Sequence, residues 1–311
     1  MAVLLATNFP ADALERWLAQ WREAMPGESF VTDRSACDPE AIDIAVVANP
    51  PAGALQGLPN LQLIQSMWAG VDKLLGDPTI PTGVPLARMV DPAMNEAMAE
   101  TALWAVLSLH RDGFDYAKQQ HEARWAPHRQ RAAGDFGVTV LGLGQMGRTV
   151  ALRLAANGYR VSGWSSRPVA LPGVRTHCGD AGLPAALAGA QVLVNLLPLT
   201  PTTQGLIDAR LLARLPRGSS IVNLARGAHV VEADLLAALE CGHLRHAVLD
   251  VFATEPLPPS HPFWAHPDVT VLPHVAAQTS AASASAVVAA NIAALRAGRP
   301  LQHLVDRARG Y

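Results

Sequence analysis

The sequence predicts an α/β protein with a parallel, doubly wound sheet, on three observations. From Gly137 onward, short apolar runs of strand length alternate with helical segments, the order in which crossover helices join parallel strands. The run GLGQMG follows the first of these strands without a gap and opens a helical segment. Ahead of it, a shorter series of apolar runs alternates with helical and turn-rich pieces, which reads as a smaller α/β unit.

In that smaller unit the candidate strands are Val3 to Ala6, Ile44 to Ala48 and Leu61 to Gln65, with a helical segment around Ala11 to Ala24. Asp91 then offers an N-cap with Pro92 at the first helical position. Apolar residues recur at Met94, Met98, Ala102, Ala105 and Leu109 until Gly113, so one long helix is expected, suited equally to bridging two domains or to a core. The regular alternation supplies strands at Val138 to Leu141, Arg160 to Trp164, Gln191 to Asn195, Ser220 to Asn223, His246 to Leu249 and Val269 to Leu272. The Ala-rich segment from Thr279 to Ala297 is expected to be helical and to pack back on the first unit, because the second is already complete without it.

A chain of 311 residues, 50% apolar and 16% charged, can bury a large core and should divide into two domains. The formal net charge is -2, with 24 basic residues scattered among 26 acidic ones. Nucleic acid and anionic membrane are therefore not the expected partners. Cys37, Cys178 and Cys241 lie far apart with no C-x-x-C pair, which suggests reduced thiols and neither a disulfide framework nor a metal site. The start, MAVLLATNFPAD, lacks a basic region, and no apolar run reaches membrane length, so a cytoplasmic location is expected.

GLGQMG places Gly142, Gly144 and Gly147 at the G-x-G-x-x-G positions, with Gln145 and Met146 between them. The three glycines would serve a tight turn, a close approach of backbone to a pyrophosphate, and close packing of helix on strand, while the helix N-terminus offers N–H groups to the phosphates. A lone motif of this kind also occurs in methyltransferases and plain turns. The preceding strand, the following helix and the Asn157-Gly158 turn into the next strand favour dinucleotide binding. At the end of that next strand the acid that usually meets a ribose 2′-hydroxyl is missing, and WSSRP stands there instead. Ser165, Ser166 and Arg167 could bind and neutralise a 2′-phosphate, which points to NADPH, with NADH weaker. The alternative is a solvated loop whose arginine faces water.

Ligands of an open α/β sheet sit beyond the carboxyl ends of its strands. SSIVN runs into LARG and places Arg226 there; HAVLD runs into VFATEP and places Asp250 and Glu255 there; VTVLP delivers His274. Each has an ordinary structural explanation, and the coincidence at one rim carries the functional one. An arginine fork can hold a substrate carboxylate and polarise the adjacent carbonyl. Hydride would then reach the carbonyl carbon while a protonated His274 gives its oxygen a proton. Glu255, bonded to the other ring nitrogen, would fix the tautomer and favour the imidazolium.

VLGLGQMGR, NLLPLTPTTQGLI, NLARG, LDVFATEPLP and LPHVAAQT together resemble the D-isomer-specific 2-hydroxyacid dehydrogenase family, over most of Val138 to Thr279. SMWAGVD, RGAHVVEADLLAAL and the ending VDRARGY resemble more narrowly its glyoxylate/hydroxypyruvate reductases. The resemblance implies that Arg226, Glu255 and His274 are the catalytic set and that Asp250 contacts the nicotinamide carboxamide. It further implies that Leu197, Pro198 and Ala225 line the cofactor cleft, and that backbone N–H groups of Trp68, Ala69 and Gly70 hold the substrate carboxylate, with Trp68 as a size filter. In fold it implies a flavodoxin-like substrate domain, 1–95 plus 278–311, interrupted by a Rossmann-type dinucleotide domain, 96–277, hinge closure over substrate, and a homodimer built partly around the helix that begins at Pro92. The implied reaction is reduction of a small 2-oxo acid, glyoxylate or hydroxypyruvate, to the 2-hydroxy acid. A reductase of larger 2-oxo acids and a dinucleotide-binding corepressor are the alternatives. A methyltransferase would have no use for Arg226, Glu255 and His274 together.

Overall fold

A computed structural model describes residues 1–311. Backbone contacts divide the chain into one unit of Met1–Met94 with Thr279–Tyr311 and a second of Asn95–Gln278.

The first unit holds five parallel strands, β1 (Ala2–Thr7), β2 (Phe30–Val31), β3 (Ile42–Ala48), β4 (Leu63–Ser66) and β5 (Leu86–Ala87), in the order β2-β1-β3-β4-β5. Relabelled along the chain this is 2-1-3-4-5, the flavodoxin-like order. β1 and β3 are almost continuous apolar runs with nearly every residue buried, as a parallel strand covered on both faces requires. α1 (Ala11–Ala24) and the short α2 (Asp72–Leu75) belong to this unit. β2 and β5 were not expected. Two residues are too few to show an apolar alternation, and both take their place at the sheet edges from pairing with β1 and β4.

α3 (Pro92–His110) starts where Asp91 and Pro92 predict, with Asp91 accepting from the Ala93 N–H at 2.9 Å. It does not run to Gly113. The chain breaks at Asp112, which sits in the left-handed region with φ 58°, and α4 (Gly113–His121) begins immediately after. An aspartate tolerates that conformation better than most side chains, which explains how the helix ends without a glycine at the turn itself.

The second unit holds β6 (Gly137–Leu141), β7 (Arg160–Ser165), β8 (Val174–Cys178), β9 (Val192–Asn195), β10 (Ser219–Asn223), β11 (Leu244–Leu249) and β12 (Val269–Val271). All pairings are parallel, in the order β12-β11-β10-β9-β6-β7-β8. Read from the other edge this is 3-2-1-4-5-6-7, the Rossmann order with one added strand, and the order reverses between β6 and β9. β8 escaped the sequence reading because it is an edge strand, with Arg175 and Cys178 exposed. α5 (Gln145–Ala156), α6 (Gly179–Leu187), α7 (Ala209–Leu212) and α8 (Glu232–Glu240) complete the unit.

Alternate residues along the strands serve opposite faces. Val138, Val140, Val194 and Val222 pack with Val150 and Leu154 of α5, whereas Leu141, Leu193, Ile221 and Leu249 pack with Leu187 of α6 and Leu235 of α8. Each such side chain contributes about 1.5–3 kcal/mol by leaving water, so the sheet is held rigidly and its strand ends are fixed in space.

α9 (Ala281–Arg296) belongs to the first unit, and its last residue ties it there. Arg296 grips Glu28 with two bonds of 3.0 and 2.8 Å and also pairs with Asp43, which is 1% exposed. The hydrogen bonds it donates to Glu28 and Asp43 hold the guanidinium above its ordinary pKa.

His246 on β11 is 4% exposed, stacks on Phe114 at 4.4 Å, and places Nε2 2.9 Å from the Thr270 hydroxyl. Burial, reinforced by the Lys118 ammonium, pushes its pKa from 6.5 down to about 4. The unfolded chain therefore takes up a proton near pH 6.5 that the folded chain refuses until about pH 4. Stability contributed by His246 is present at neutral pH and is lost as pH falls. Chemical denaturation should show that His246→Phe flattens the acid-side decline of the wild type by roughly 1–2 kcal/mol between about pH 6.5 and 5; parallel curves for the two proteins would contradict this.

Candidate functional site

In the second unit the sheet reverses between β6 and β9, and the glycine turn lies at that point. Gly142 has φ 93°, and a Cβ there would stand 2.6 Å from the Leu196 carbonyl oxygen at the end of β9. A Cβ on Gly147 would fall 1.7 Å from the Gly142 carbonyl oxygen, so the first turn of α5 rests directly on the loop before it. Gly144 faces open space, with no heavy atom within 4 Å of a Cβ. Two glycines are thus required by protein backbone and the middle one leaves room for a ligand.

The first helical bond of α5 runs from the Arg148 N–H to the Gly144 carbonyl at 2.9 Å. The N–H groups of Gln145, Met146 and Gly147 precede it and point out of the helix end, where they favour an anion.

β7 ends at Ser165, whose hydroxyl donates to the Arg167 carbonyl at 2.6 Å and closes a tight turn. Ser166 and Arg167 are exposed. The Arg167 guanidinium takes no partner in the chain, unlike Arg153 or Arg245, which are ion-paired. The Gly142 N–H donates to the Trp164 carbonyl at 2.8 Å, so the glycine turn and the serine-arginine turn are locked to each other.

Further along the rim, Glu255 and His274 meet: His274 Nδ1 is 2.8 Å from Glu255 Oε2, and the other carboxylate oxygen accepts from the Phe252 N–H at 2.9 Å. The carboxylate therefore fixes a proton on Nδ1 and leaves Nε2 as the outward atom. The His274 side chain is 51% exposed and its backbone has φ 56°, a conformation that side chains larger than glycine adopt at a cost and that gathers at functional sites.

Asp250 supports this turn. Its side chain is 1% exposed, and its two oxygens accept from the N–H groups of Val275 at 2.7 Å and Ala276 at 3.0 Å. Burial raises its pKa, with the two amide bonds and His274 pulling the other way.

Arg226 begins the next turn of the rim, its Nη1 donating to the Ala225 carbonyl at 2.7 Å. Gly227 lies so close to the Phe252 backbone that a Cβ would stand 1.9 Å from its carbonyl carbon. Through Gly227 and Phe252 the Arg226 turn is keyed to the segment that carries Glu255.

Polar side chains that no sequence motif marks lie beneath the rim. Asn195, Asn223 and His229 are fully buried. Asn195 and Asn223 are register partners at the ends of β9 and β10. Their side-chain oxygens accept from the N–H groups of Leu197 and Ala225, both at 3.3 Å, and so shape the two loops that carry Leu197-Pro198 and Ala225-Arg226. An asparagine closing an otherwise apolar strand was the available signal, in VLVN and again in SSIVN.

In the first unit, the loop after β4 carries Trp68, Ala69 and Gly70. The Trp68 N–H is already taken by the hydroxyl of Ser66, at 3.0 Å, and its carbonyl by the Met89 N–H, also at 3.0 Å. Of the three N–H groups expected to hold a carboxylate, only those of Ala69 and Gly70 remain without a protein acceptor. The Trp68 indole packs edge-on against Phe9 at 6.1 Å, with a buried Nε1 that has no partner.

Comparison with known proteins adds the following. A family model described as D-isomer specific 2-hydroxyacid dehydrogenase, NAD binding domain, matches residues 103–276. A glyoxylate/hydroxypyruvate reductase A from Serratia proteamaculans is 42% identical over 302 residues, covering 96% of both chains. Among solved structures, a D-isomer specific 2-hydroxyacid dehydrogenase from Xanthobacter autotrophicus in complex with NADPH and MES is 40% identical, with a TM-score of 0.95 over 100% of this chain and 99% of the other. An NADPH-dependent glyoxylate/hydroxypyruvate reductase from Sinorhizobium meliloti in complex with NADP and sulfate is 36% identical, with a TM-score of 0.93 over 100% and 99%.

The contact at Gly147 gives a direct test of the glycine turn. Gly147→Ala would force α5 off the Gly142 carbonyl, and isothermal titration should show at least a tenfold loss of dinucleotide affinity together with a lowered melting temperature. Gly144→Ala, which meets no protein atom, should weaken dinucleotide binding while leaving the melting temperature of the ligand-free protein within a degree or two.

Proposed function

From its place among the D-isomer specific 2-hydroxyacid dehydrogenases, the family to which this chain belongs, we propose that the protein reduces small 2-oxo acids with NADPH, glyoxylate to glycolate and hydroxypyruvate to D-glycerate. The observation that carries this reading is the Glu255–His274 pair at 2.8 Å beside the Arg226 turn, on the same sheet rim as the glycine loop.

The residues fit the coenzyme. Open space at Gly144 and the N–H groups of Gln145, Met146 and Gly147 suit a pyrophosphate. Ser165, Ser166 and Arg167 suit a 2′-phosphate, Leu197, Pro198 and Ala225 suit the walls of the cleft, and the unused lone pairs of Asp250 suit the carboxamide. When bound, the nicotinamide supplies the hydride.

The chain supplies the rest. Arg226 holds the substrate carboxylate and draws electron density from the adjacent carbonyl. The N–H groups of Ala69 and Gly70 give the carboxylate further donors. His274, with Nδ1 engaged by Glu255, donates the proton on Nε2 to the carbonyl oxygen as it gains charge. One 2-oxo acid, one hydride and one proton yield one 2-hydroxy acid. Trp68, held against Phe9, limits the size of the substrate's third-carbon group.

We place the protein in the cytoplasm, in keeping with an NADPH-linked reaction; no helix is long and apolar enough to cross a membrane. We also read it as a homodimer. Trp104 and Leu107 of α3 are 42% and 40% exposed and Trp125 is 96% exposed, apolar area that a second copy would cover. Light scattering after size exclusion should give twice the chain mass, and Trp104→Glu should shift it toward the monomer; a wild-type monomer at micromolar concentration would end this reading.

The reaction is tested by mixing the pure protein with NADPH and glyoxylate and following nicotinamide absorbance. His274→Gln should lower kcat by about 10²–10⁴-fold with NADPH affinity kept. Arg167→Asp should move the ratio of NADPH to NADH affinity by at least about tenfold toward NADH. No consumption of NADPH with any small 2-oxo acid would refute the activity, and an unchanged ratio would remove the 2′-phosphate assignment.

A further inference from the structure

We propose that His229 is a positioning residue: a neutral, buried strut, seated on Asn195 and Asn223, that sets the Arg226 turn and the Leu197-Pro198 loop in one fixed relation. The inference rests on the reaction proposed above and adds to it a residue with no contact to substrate or coenzyme.

The ring lies in the 3₁₀ turn that follows Arg226 and is fully buried. Its Nε2 is 3.2 Å from the Pro198 carbonyl oxygen, an acceptor, so this nitrogen carries a proton. Its Nδ1 is 3.1 Å from Asn195 Nδ2 and 3.1 Å from the Arg226 carbonyl oxygen. The Asn195 amide is oriented by its own oxygen, which the Leu197 N–H requires, so Asn195 Nδ2 offers two N–H groups. One goes to Asn223 Oδ1 at 3.0 Å and the other to His229 Nδ1. A proton on Nδ1 would collide with that second N–H. The neutral Nε2–H tautomer satisfies the Pro198 and Asn195 contacts, and leaves the Arg226 carbonyl to be supplied by donors other than the ring.

The Arg226 carbonyl has other donors, Asn223 Nδ2 at 3.0 Å and the His229 N–H at 3.3 Å. The turn that carries the guanidinium is thus held from β10 by Asn223 and from the far side by the His229 backbone, while the His229 ring reaches across to β9 and to Pro198. The His229 ring thus joins two loops, the first assigned to the substrate carboxylate and the second to the coenzyme cleft.

The test compares three variants of the full chain with the wild type. His229→Leu keeps volume and removes the ring's hydrogen bonds to Pro198 and Asn195; His229→Gln keeps a side-chain N–H for Pro198; Thr203→Val removes the other donor to Pro198, at 2.7 Å, without touching the Arg226 turn. NADPH dissociation constants are read from protein fluorescence with no substrate present, and glyoxylate KM and kcat from absorbance. We expect His229→Leu to raise the KM for glyoxylate about tenfold and the NADPH Kd about fivefold, the loss expected for one or two buried hydrogen bonds. His229→Gln should recover about half of each effect, which leaves its glyoxylate KM about threefold above wild type, and Thr203→Val should raise the NADPH Kd alone.

If His229→Leu lowers only the melting temperature and the active fraction, with KM and Kd within twofold of wild type, the strut is overturned. Should the leucine variant fail to fold, His229→Gln decides by the same constants: a raised glyoxylate KM supports the strut and a wild-type value refutes it. A wild type that binds NADPH but consumes none with glyoxylate refutes the reaction instead, and the paired Kd values of His229→Leu and Thr203→Val then decide the strut: a larger loss in the former supports it, and equal losses overturn it.

Discussion

Everything at the rim of the second unit depends on how three buried parallel strands end. A strand covered on both faces reaches its carboxyl end with N–H groups that have no neighbour to pair with, and an unpaired buried amide costs about as much as a lost hydrogen bond. β9 and β10 each solve this with a buried polar side chain at the last residue, Asn195 and Asn223, and Asp250, just past β11, does the same for the segment that follows β12; none of the three is more than 1% exposed. They take the N–H groups of Leu197, of Ala225, and of Val275 with Ala276. Each of those amides lies beside a residue assigned to the chemistry: Pro198, Arg226 and His274. The device that satisfies the backbone is therefore also the device that aims the loops.

Glycine does the complementary work where side chains cannot be accommodated. Gly142, Gly147 and Gly227 each bring one backbone segment against another, closer than any Cβ permits. Polar side chains hold the loops apart at set distances, and glycines let them touch. Gly227 matters most for coupling, because it presses the Arg226 turn onto Phe252, whose N–H holds Glu255. A displacement of the arginine loop is in this way felt by the acid that orients His274.

The long strands, α1, α9 and the glycine turn were all readable in the sequence because each rests on a local pattern, an apolar run or a fixed spacing. That Arg226, Glu255 and His274 fall past the carboxyl ends of strands was readable from the regular strand–helix alternation. What the sequence withheld depends on partners distant in the chain. β2 and β5 exist because β1 and β4 offer them edges, and α3 stops at His110 because Asp112 accepts an unusual backbone conformation. The buried triad of Asn195, Asn223 and His229 spans 34 residues of sequence between its first and last members, and no local spacing predicts that an imidazole from a 3₁₀ turn lands between two asparagines. The Trp68 N–H was misjudged for the same reason: Ser66 is an unremarked end to an apolar strand until the turn it makes is seen.

Ser66 shows that the strand-end device is common to both units. It is the last residue of β4, fully buried, and its hydroxyl takes the N–H two residues on. Asn195 and Asn223, also the last residues of their strands, take the N–H two residues on as well. A side chain that captures the second amide after a strand turns the chain sharply and exposes the third and fourth amides, which are then the ones open to a ligand. In the first unit those are Ala69 and Gly70. On this geometry the set of open amides in the loop proposed to hold a carboxylate is fixed one step upstream of them. Ser66 therefore governs which amides are presented.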